Sequence, residues 1–387
     1  MKSPYMLDDL LGLEYFITDT KGTLGKLRST PEDFFVEELQ LETTINTSGD
    51  YTHFTLEKNN WDTLRAIKEI ARRLKVSHKR FGFAGTKDKR AVTGQKVSVW
   101  KVGEDQLRQL KIRDIRLHNF KKSDERVSLG DLYGNRFKIN VRGTAAENAE
   151  LDSLLKKTVS QMERTGILNY FGYQRFGTIR PNTHLVGKEL VKGDIRGAVL
   201  AYLANPCEGE REDAYNARRD LGETLDYQKA LKLFPKRLNY ERSMLDALSK
   251  NENDYAGALR RLPKKLRWML LHAYQGYLFN RVLSRTLEKN IESVSIPLFG
   301  CETLFTPGEQ GDIEMDVIEK EGINLENFEI ASMPELTMEG QLRDAFIKIH
   351  PKFTVEGESY TCEFDLPKGS YATVALRELM KADPLNY

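Results

Sequence analysis

The chain has 387 residues, 40% hydrophobic and 30% charged, which suits two folded domains and excludes a disordered polymer. Three scattered cysteines (Cys207, Cys301, Cys362) make neither a disulfide framework nor a zinc site, and six histidines lack ligand spacing. A net charge of +2 does not by itself advertise a nucleic-acid partner.

In chain order, "MKSPYMLDDLLGLEYF" carries acids early and does not read as a signal peptide, and no later stretch approaches a membrane span. Together with the cysteine usage, this places the expectation in a reducing cytoplasm. Residues 23–58 read as extended structure, "GTLGKLRSTPEDFFVEELQL", a turn, then "YTHFTLEKNN". "NWDTLRAIKEIARRLKV" predicts an amphipathic helix with Trp61, Leu64, Ile67, Ile70 and Leu74 on one stripe and Asn60 or Asp62 as its cap. A short strand at Phe81–Ala84, a loop at Gly85–Arg90 and a strand "QKVSVW" follow. Residues 126–143 read as two strands around a glycine-rich turn. A second helix carries Leu151, Leu154, Leu155 and Met162 and stops at Gly166. This order predicts an α+β fold with helices on one face of a sheet. Residues 180–290 read as helical, 291–345 as acidic and loop-rich, and 346–387 as strands with a closing helix, which suggests an inserted domain.

Charge is unevenly distributed. Residues 75–101 hold eight Lys/Arg against one acid, Asp88, whereas 302–339 hold eleven acids against one base, Lys320. Such a separation fits a protein that binds a polyanion on one face, and equally fits two solvated surfaces.

Asp88 lies in "RFGFAGTKDKRAVTGQKVSVW" (80–100), where it reads either as a hydrogen-bonding loop residue or as a functional carboxylate. Cations on both sides favour the charged form of a carboxylate, which a nucleophile or base requires. A lone acid without metal ligands or a His partner fits chemistry on a nucleic acid better than a two-metal nuclease. Gly82 and Gly85 lack the spacing of a phosphate loop. "NYFGYQRFG" (169–177) sets four aromatic rings among Gly172, Arg175 and Gly177, a pattern open to base stacking or to an ordinary core strand. "LPKGSYATVALRELMK" (366–381) reads mostly as scaffold, with Lys368 and Arg377 within possible reach of phosphate. The stripe Trp268, Leu271, Tyr274, Tyr277 and Leu278 reads as helix core.

Four segments, "RSTPEDFFVEE" (28–38), "FAGTKDKRAVTGQ" (83–95), "NYFGYQRFG" (169–177) and "LPKGSYATVALREL" (366–379), resemble the TruD family of tRNA pseudouridine synthases, as an archaeal-like member. "LGDLYGNRF" (129–137) and "HAYQGYLFN" (272–280) are also similar to family segments. The resemblance implies isomerisation of uridine to pseudouridine in tRNA, at position 13 of the D arm, with no metal or organic cofactor. It implies no obligate protein partner and no membrane. The family fold is a catalytic domain with a mixed, mainly antiparallel sheet and flanking helices, here residues 1–180 and 346–387. An α/β TRUD domain is inserted, here at about 181–345.

Carried onto this sequence, the resemblance makes Asp88 the catalytic residue. Arg28 takes the place of a basic partner that is commonly Lys, keeping the charge but changing the hydrogen-bond geometry. Phe171 is expected to stack on the target uracil beside Asn169. Lys79, Arg80, Lys87, Lys89 and Arg90 are candidates for RNA-backbone contacts. Asp88 as a nucleophile at C1′ and Asp88 as a base on the sugar both remain open. The rival reading is a non-catalytic RNA-binding or RNA-folding protein on the same scaffold.

Overall fold

Side-chain alternation sets the first strand of the computed structural model, which describes residues 1–41 and 49–387. In Phe34–Gln40 (β1), Phe34, Val36 and Glu38 are buried and Glu37 is exposed. Upstream, the expected extended run is interrupted: Pro31–Asp33 form a 3-10 turn, and the Asp33 carboxylate accepts from Thr30 N at 2.8 Å. The turn expected after Leu41 falls on residues 42–48, outside the described residues.

The chain divides into two compact units, Ile17–Ile167 with Ile347–Tyr387, and Met1–Phe16 with Leu168–Phe346. The first is built on an eight-stranded sheet. After β1 come Tyr51–Asn59 (β2), Phe81–Phe83 (β3), Val92–Trp100 (β4), Ile115–Ser123 (β5), Leu132–Arg142 (β6), Lys352–Glu356 (β7) and Ser359–Pro367 (β8). Their spatial order is β7-β8-β6-β1-β4-β2-β5, with β3 also paired to β4. Only β1 and β4 run parallel among the pairings described, so the sheet is mixed and mainly antiparallel.

The registers put Val36 opposite both Phe137 and Thr93, and Leu56 opposite Gln95. With a period of two, Phe34, Val36, Phe137, Ile139, Phe364, Phe54, Leu56, Val97 and Val99 therefore share one face. Two cores grow on it. One packs β1, β6 and β8 under Leu151, Leu155, Val159 and Met162 of helix Asn148–Thr165 and under Leu376 and Leu379 of helix Ala372–Met380. The other packs β2, β3 and β4 under Ala66, Ile67, Ile70 and Ala71 of helix Thr63–Leu74. The Asp62 carboxylate caps that helix, accepting from Arg65 N at 2.9 Å, while Leu64, placed on the buried stripe by sequence, is 49% exposed.

One strand differs from expectation. Of the two strands expected within residues 126–143, the one before the Gly-rich turn does not start near residue 126; the preceding strand is β5, at Ile115–Ser123, and ends before that range. Its alternation is broken by a bulge: His118 faces Thr55 but Lys121 faces His53, and Asn119 between them has φ +55°.

The second unit is mainly helical, centred on the 25-residue helix Lys264–Glu288, with an antiparallel strand pair of Ser295–Leu298 and Gln341–Asp344. Its amino-terminal segment is held by that helix: Asn280 Nδ2 donates to Leu11 O at 3.1 Å and Ser284 Oγ to Gly12 O at 2.7 Å. Two of the acids read as solvated surface are internal. Glu314 is fully buried and accepts from Thr306 N and Oγ1, both at 2.8 Å. Glu321 pairs with Lys188 at 2.7 Å and accepts from Tyr274 and Tyr277.

Candidate active site

Where β1 and β4 meet, the helix-bearing face of the sheet turns polar. Glu38, Thr93, Gln95 and Lys58 are buried there, and Asn135 of β6 lies opposite Glu38. All of these but Thr93 help to hold the loop Gly85–Arg90. Gln95 Nε2 donates to Gly85 O at 2.9 Å, and Gln95 Oε1 accepts from Thr63 Oγ1 at 3.0 Å. Thr63 Oγ1 in turn accepts from Lys87 N at 3.0 Å. Lys87 Nζ lies 3.0 Å from Glu38 Oε2 and donates to Asn135 Oδ1 at 2.7 Å. The Lys58 ammonium donates to Trp61 O at 2.6 Å, Asp88 O at 3.0 Å and Lys87 O at 3.4 Å.

On this clamped loop the Asp88 side chain is 51% exposed, and one of its oxygens, Oδ2, is paired with Arg28. Among the described residues Oδ1 has no protein partner. Arg28 is the more enclosed member, with 15% of its side chain exposed and its guanidinium carbon 4.1 Å from the centroid of the Phe34 ring. Its backbone is left-handed, at φ +54°. Burial lowers the Arg28 pKa, a shift that Asp88 opposes and Arg90 reinforces. The pair thus joins a partly dehydrated fixed cation to a carboxylate with one oxygen open to a ligand.

The residues proposed for RNA contact separate. Lys79, Lys89 and Arg90 are exposed, and Arg80 lies over the Trp100 ring at 5.5 Å. Lys87 does not belong with them: its side chain is only 8% exposed and its charge is spent on Glu38. Arg377 is 1% exposed, which fits the scaffold reading at that position, whereas Lys368 is exposed and its Nζ donates to Gly130 O at 3.1 Å.

Asn169 and Phe171 lie in the helical unit and are 6% and 5% exposed. Phe171 N donates to Asn280 Oδ1 at 2.8 Å, and Asn280 Nδ2 returns a bond to Phe171 O at 3.0 Å. The ring meets Phe279 edge-on at 5.6 Å. The Arg343 guanidinium carbon stands 4.2 Å from its centroid, and Arg343 also donates to Asn169 Oδ1 at 2.5 Å and Asn169 O at 3.1 Å. Sequence reasoning missed Arg343, which sits in the short strand Gln341–Asp344 with no motif around it. Tyr170 and Phe176 are buried too, so most rings of "NYFGYQRFG" serve the core.

Lys58 was also missed. It reads as the polar end of a strand, and nothing local signals that it is 1% exposed. Among the described residues, no group of three His, Cys, Asp or Glu side chains could hold a metal ion. No helix among them is long and apolar enough to cross a membrane.

The family model for tRNA pseudouridine synthase D (TruD) matches residues 10–295 and 291–379. The chain belongs to the TruD family. Two similar relatives carry the name "Probable tRNA pseudouridine synthase D". The one from Methanosarcina barkeri is 36% identical over 98% of both chains. The one from Methanopyrus kandleri is 40% identical over 87% of this chain and 86% of its own. The crystal structure of a Methanosarcina mazei protein assigned to TruD superposes with a TM-score of 0.85 at 36% identity, covering all of both chains. The α+β fold is therefore that of the family.

Proposed function

We propose that this chain isomerises uridine to pseudouridine in tRNA, with Asp88 as its catalytic residue and position 13 of the D arm as its target. Membership of TruD and the name its relatives carry support the reaction. The observation that carries the assignment to Asp88 is its geometry: a half-exposed carboxylate with one free oxygen, held by Arg28 on a loop clamped from beneath.

The reaction breaks the C1′–N1 bond, turns the uracil, joins C5 to C1′ and removes the proton from C5. A carboxylate serves either opening step. It can add to C1′ as a nucleophile and be displaced when C5 joins C1′, or take a sugar proton so that a glycal-like species forms and return it to the same sugar carbon as C5 joins C1′. Free again in either route, it can accept the C5 proton while N1 gains one. Arg28 holds one oxygen and leaves Oδ1 for the substrate. For Phe171 we propose a stacking role toward the extruded base, for which the ring face under Arg343 has to be released. Asn169, bonded to Arg343, is the residue placed to govern that release. Lys79, Arg80, Lys89 and Arg90 would contact the RNA backbone. The helical unit takes in the inserted TRUD domain, and the enzyme works in the cytoplasm, where its tRNA substrate is.

The test is pseudouridine formation in an unmodified tRNA transcript by the parent and by Asp88→Asn, with tRNA binding measured for both. Product from the parent alone, with similar binding, supports the reading. Normal turnover by Asp88→Asn makes Asp88 a loop residue, and an inactive parent brings the RNA-binding alternative forward.

A further inference from the structure

We infer that Lys58 is a positioning residue for the reaction, fixing the backbone of Lys87 and Asp88 from inside the sheet so that the Asp88 carboxylate keeps its place on Arg28. This rests on the proposed catalytic role of Asp88.

A lysine that is 1% exposed on a sheet face requires compensation, because a buried ammonium without partners is strongly unfavourable. Lys58 finds it in three carbonyls. Two belong to the Asp88 loop, Lys87 O and Asp88 O, and the third, Trp61 O, precedes helix Thr63–Leu74. Its three N–H donors thus tie the turn into that helix and the turn bearing Asp88 to one point on β2. An apolar side chain of the same length would supply none of the three bonds, and the Lys87 and Asp88 carbonyls would lose this partner.

The charge matters as well as the bonds. Asp62, Asp88 and Lys87 are the charged groups facing Lys58. Burial holds its pKa down to about 8, against the pull of Asp62 and Asp88 and with a push from Lys87. Lys58 therefore loses its proton in mildly alkaline solution, and with it one of the three bonds and the attraction that keeps the loop seated.

A second buried lysine in the same unit provides the control. Lys381, 6% exposed, donates to Thr18 Oγ1 at 2.6 Å and Thr20 O at 2.8 Å, and burial likewise lowers its pKa to about 8. It ties the segment Thr18–Thr20 to helix Ala372–Met380, and the charged groups facing it are Glu378, Arg377 and Asp19.

The experiment compares parent, Lys58→Met, Lys381→Met and Asp88→Asn on full-length tRNA transcript. It measures the single-turnover rate constant, tRNA affinity and thermal midpoint at temperatures where each variant is folded. The expectation is that Lys58→Met loses at least about tenfold in rate with affinity within about threefold, whereas Lys381→Met loses midpoint but not rate. The parent and Lys381→Met should also slow above about pH 8, and Lys58→Met should lack that alkaline fall. Equal rates for Lys58→Met and parent, with Asp88→Asn inactive, overturn this inference and leave the catalytic reading intact. Turnover by Asp88→Asn removes both. Should Lys58→Met fail to fold, Lys58→Gln, which keeps N–H donors on a shorter stem, takes its place: a loss of rate with affinity unchanged supports Lys58, and the parent's rate refutes the inference.

Discussion

The Lys87 ammonium lies 3.0 Å from Glu38 Oε2, and the two side chains are 8% and 0% exposed, so the residue before Asp88 is pinned to β1 by a buried ion pair. Removing one partner of such a pair leaves the other charged and unpaired, at a cost of about 3–5 kcal/mol. Lys87→Met is therefore expected to lower the urea midpoint strongly, and Lys87→Met with Glu38→Gln to recover part of the loss. The dependence of tRNA affinity on salt should stay as in the parent, because Lys87 faces no phosphate. A shallower salt slope with unchanged stability would show Lys87 to be a phosphate contact after all.

Lys89 and Arg90, next along the loop, are exposed and behave in the opposite way. Each phosphate neutralised by a cation releases counterions, so losing two contacts makes the log affinity against log salt slope shallower by about 1–2. Lys89→Ala with Arg90→Ala should show that change with a thermal midpoint close to the parent's. An unaltered slope would take these residues out of the RNA footprint.

These two outcomes also mark what sequence could tell. The loop, its cations and the strands on either side were legible, because glycine spacing and alternation are local signals. Which cation turns inward was not: Lys87 and Lys89 are alike in sequence, and only the buried Glu38 opposite Asn135 separates them. Lys58 and Arg343 escaped for the same reason, since the partners that tie them to Asp88 and to Asn169 lie 30 and 174 residues away. β5 was misplaced because its bulge at Asn119 breaks the period that would have revealed it.

Arg28 gives a prediction about the departure from the family's common Lys. Its guanidinium both pairs with Asp88 and lies over Phe34. Arg28→Met removes a charge-assisted hydrogen bond, worth about 1.5–3 kcal/mol, and is expected to slow single-turnover pseudouridine formation by roughly 10- to 150-fold. Arg28→Lys keeps the cation but not the planar stacking, and should fall between the two. Equal rates for Arg28→Met and parent would mean that the pair with Asp88 has no part in the reaction.

Arg343 is the corresponding test in the helical unit. It covers Phe171 at 4.2 Å and donates to Asn169. Arg343→Met leaves the Asn169 Oδ1 acceptor unpaired and uncovers a ring face. If that face receives the base, the variant should alter the rate constant more than the affinity for tRNA, whereas Phe171→Ala should lose most of the rate. Wild-type kinetics from both variants would assign the whole cluster to the core.

Stability against acid should report on His184. This side chain is 5% exposed, stacks on Tyr277 at 5.1 Å and meets Phe176 edge-on at 5.3 Å. Burial pushes its pKa down to about 4, although Glu321 pulls the other way. Unfolded histidine titrates near 6.5, so between about pH 6.5 and 4 the unfolded chain binds the extra proton and the folded chain does not. The neutral imidazole's contribution is thus fully present above about pH 6.5. It is lost as the pH falls towards 4, amounting to about 3 kcal/mol over the window. His184→Gln cannot take up that proton, so the difference in unfolding free energy between parent and variant should shrink on acidification. Parallel curves for the two proteins across this window would show that His184 is not held neutral by the fold.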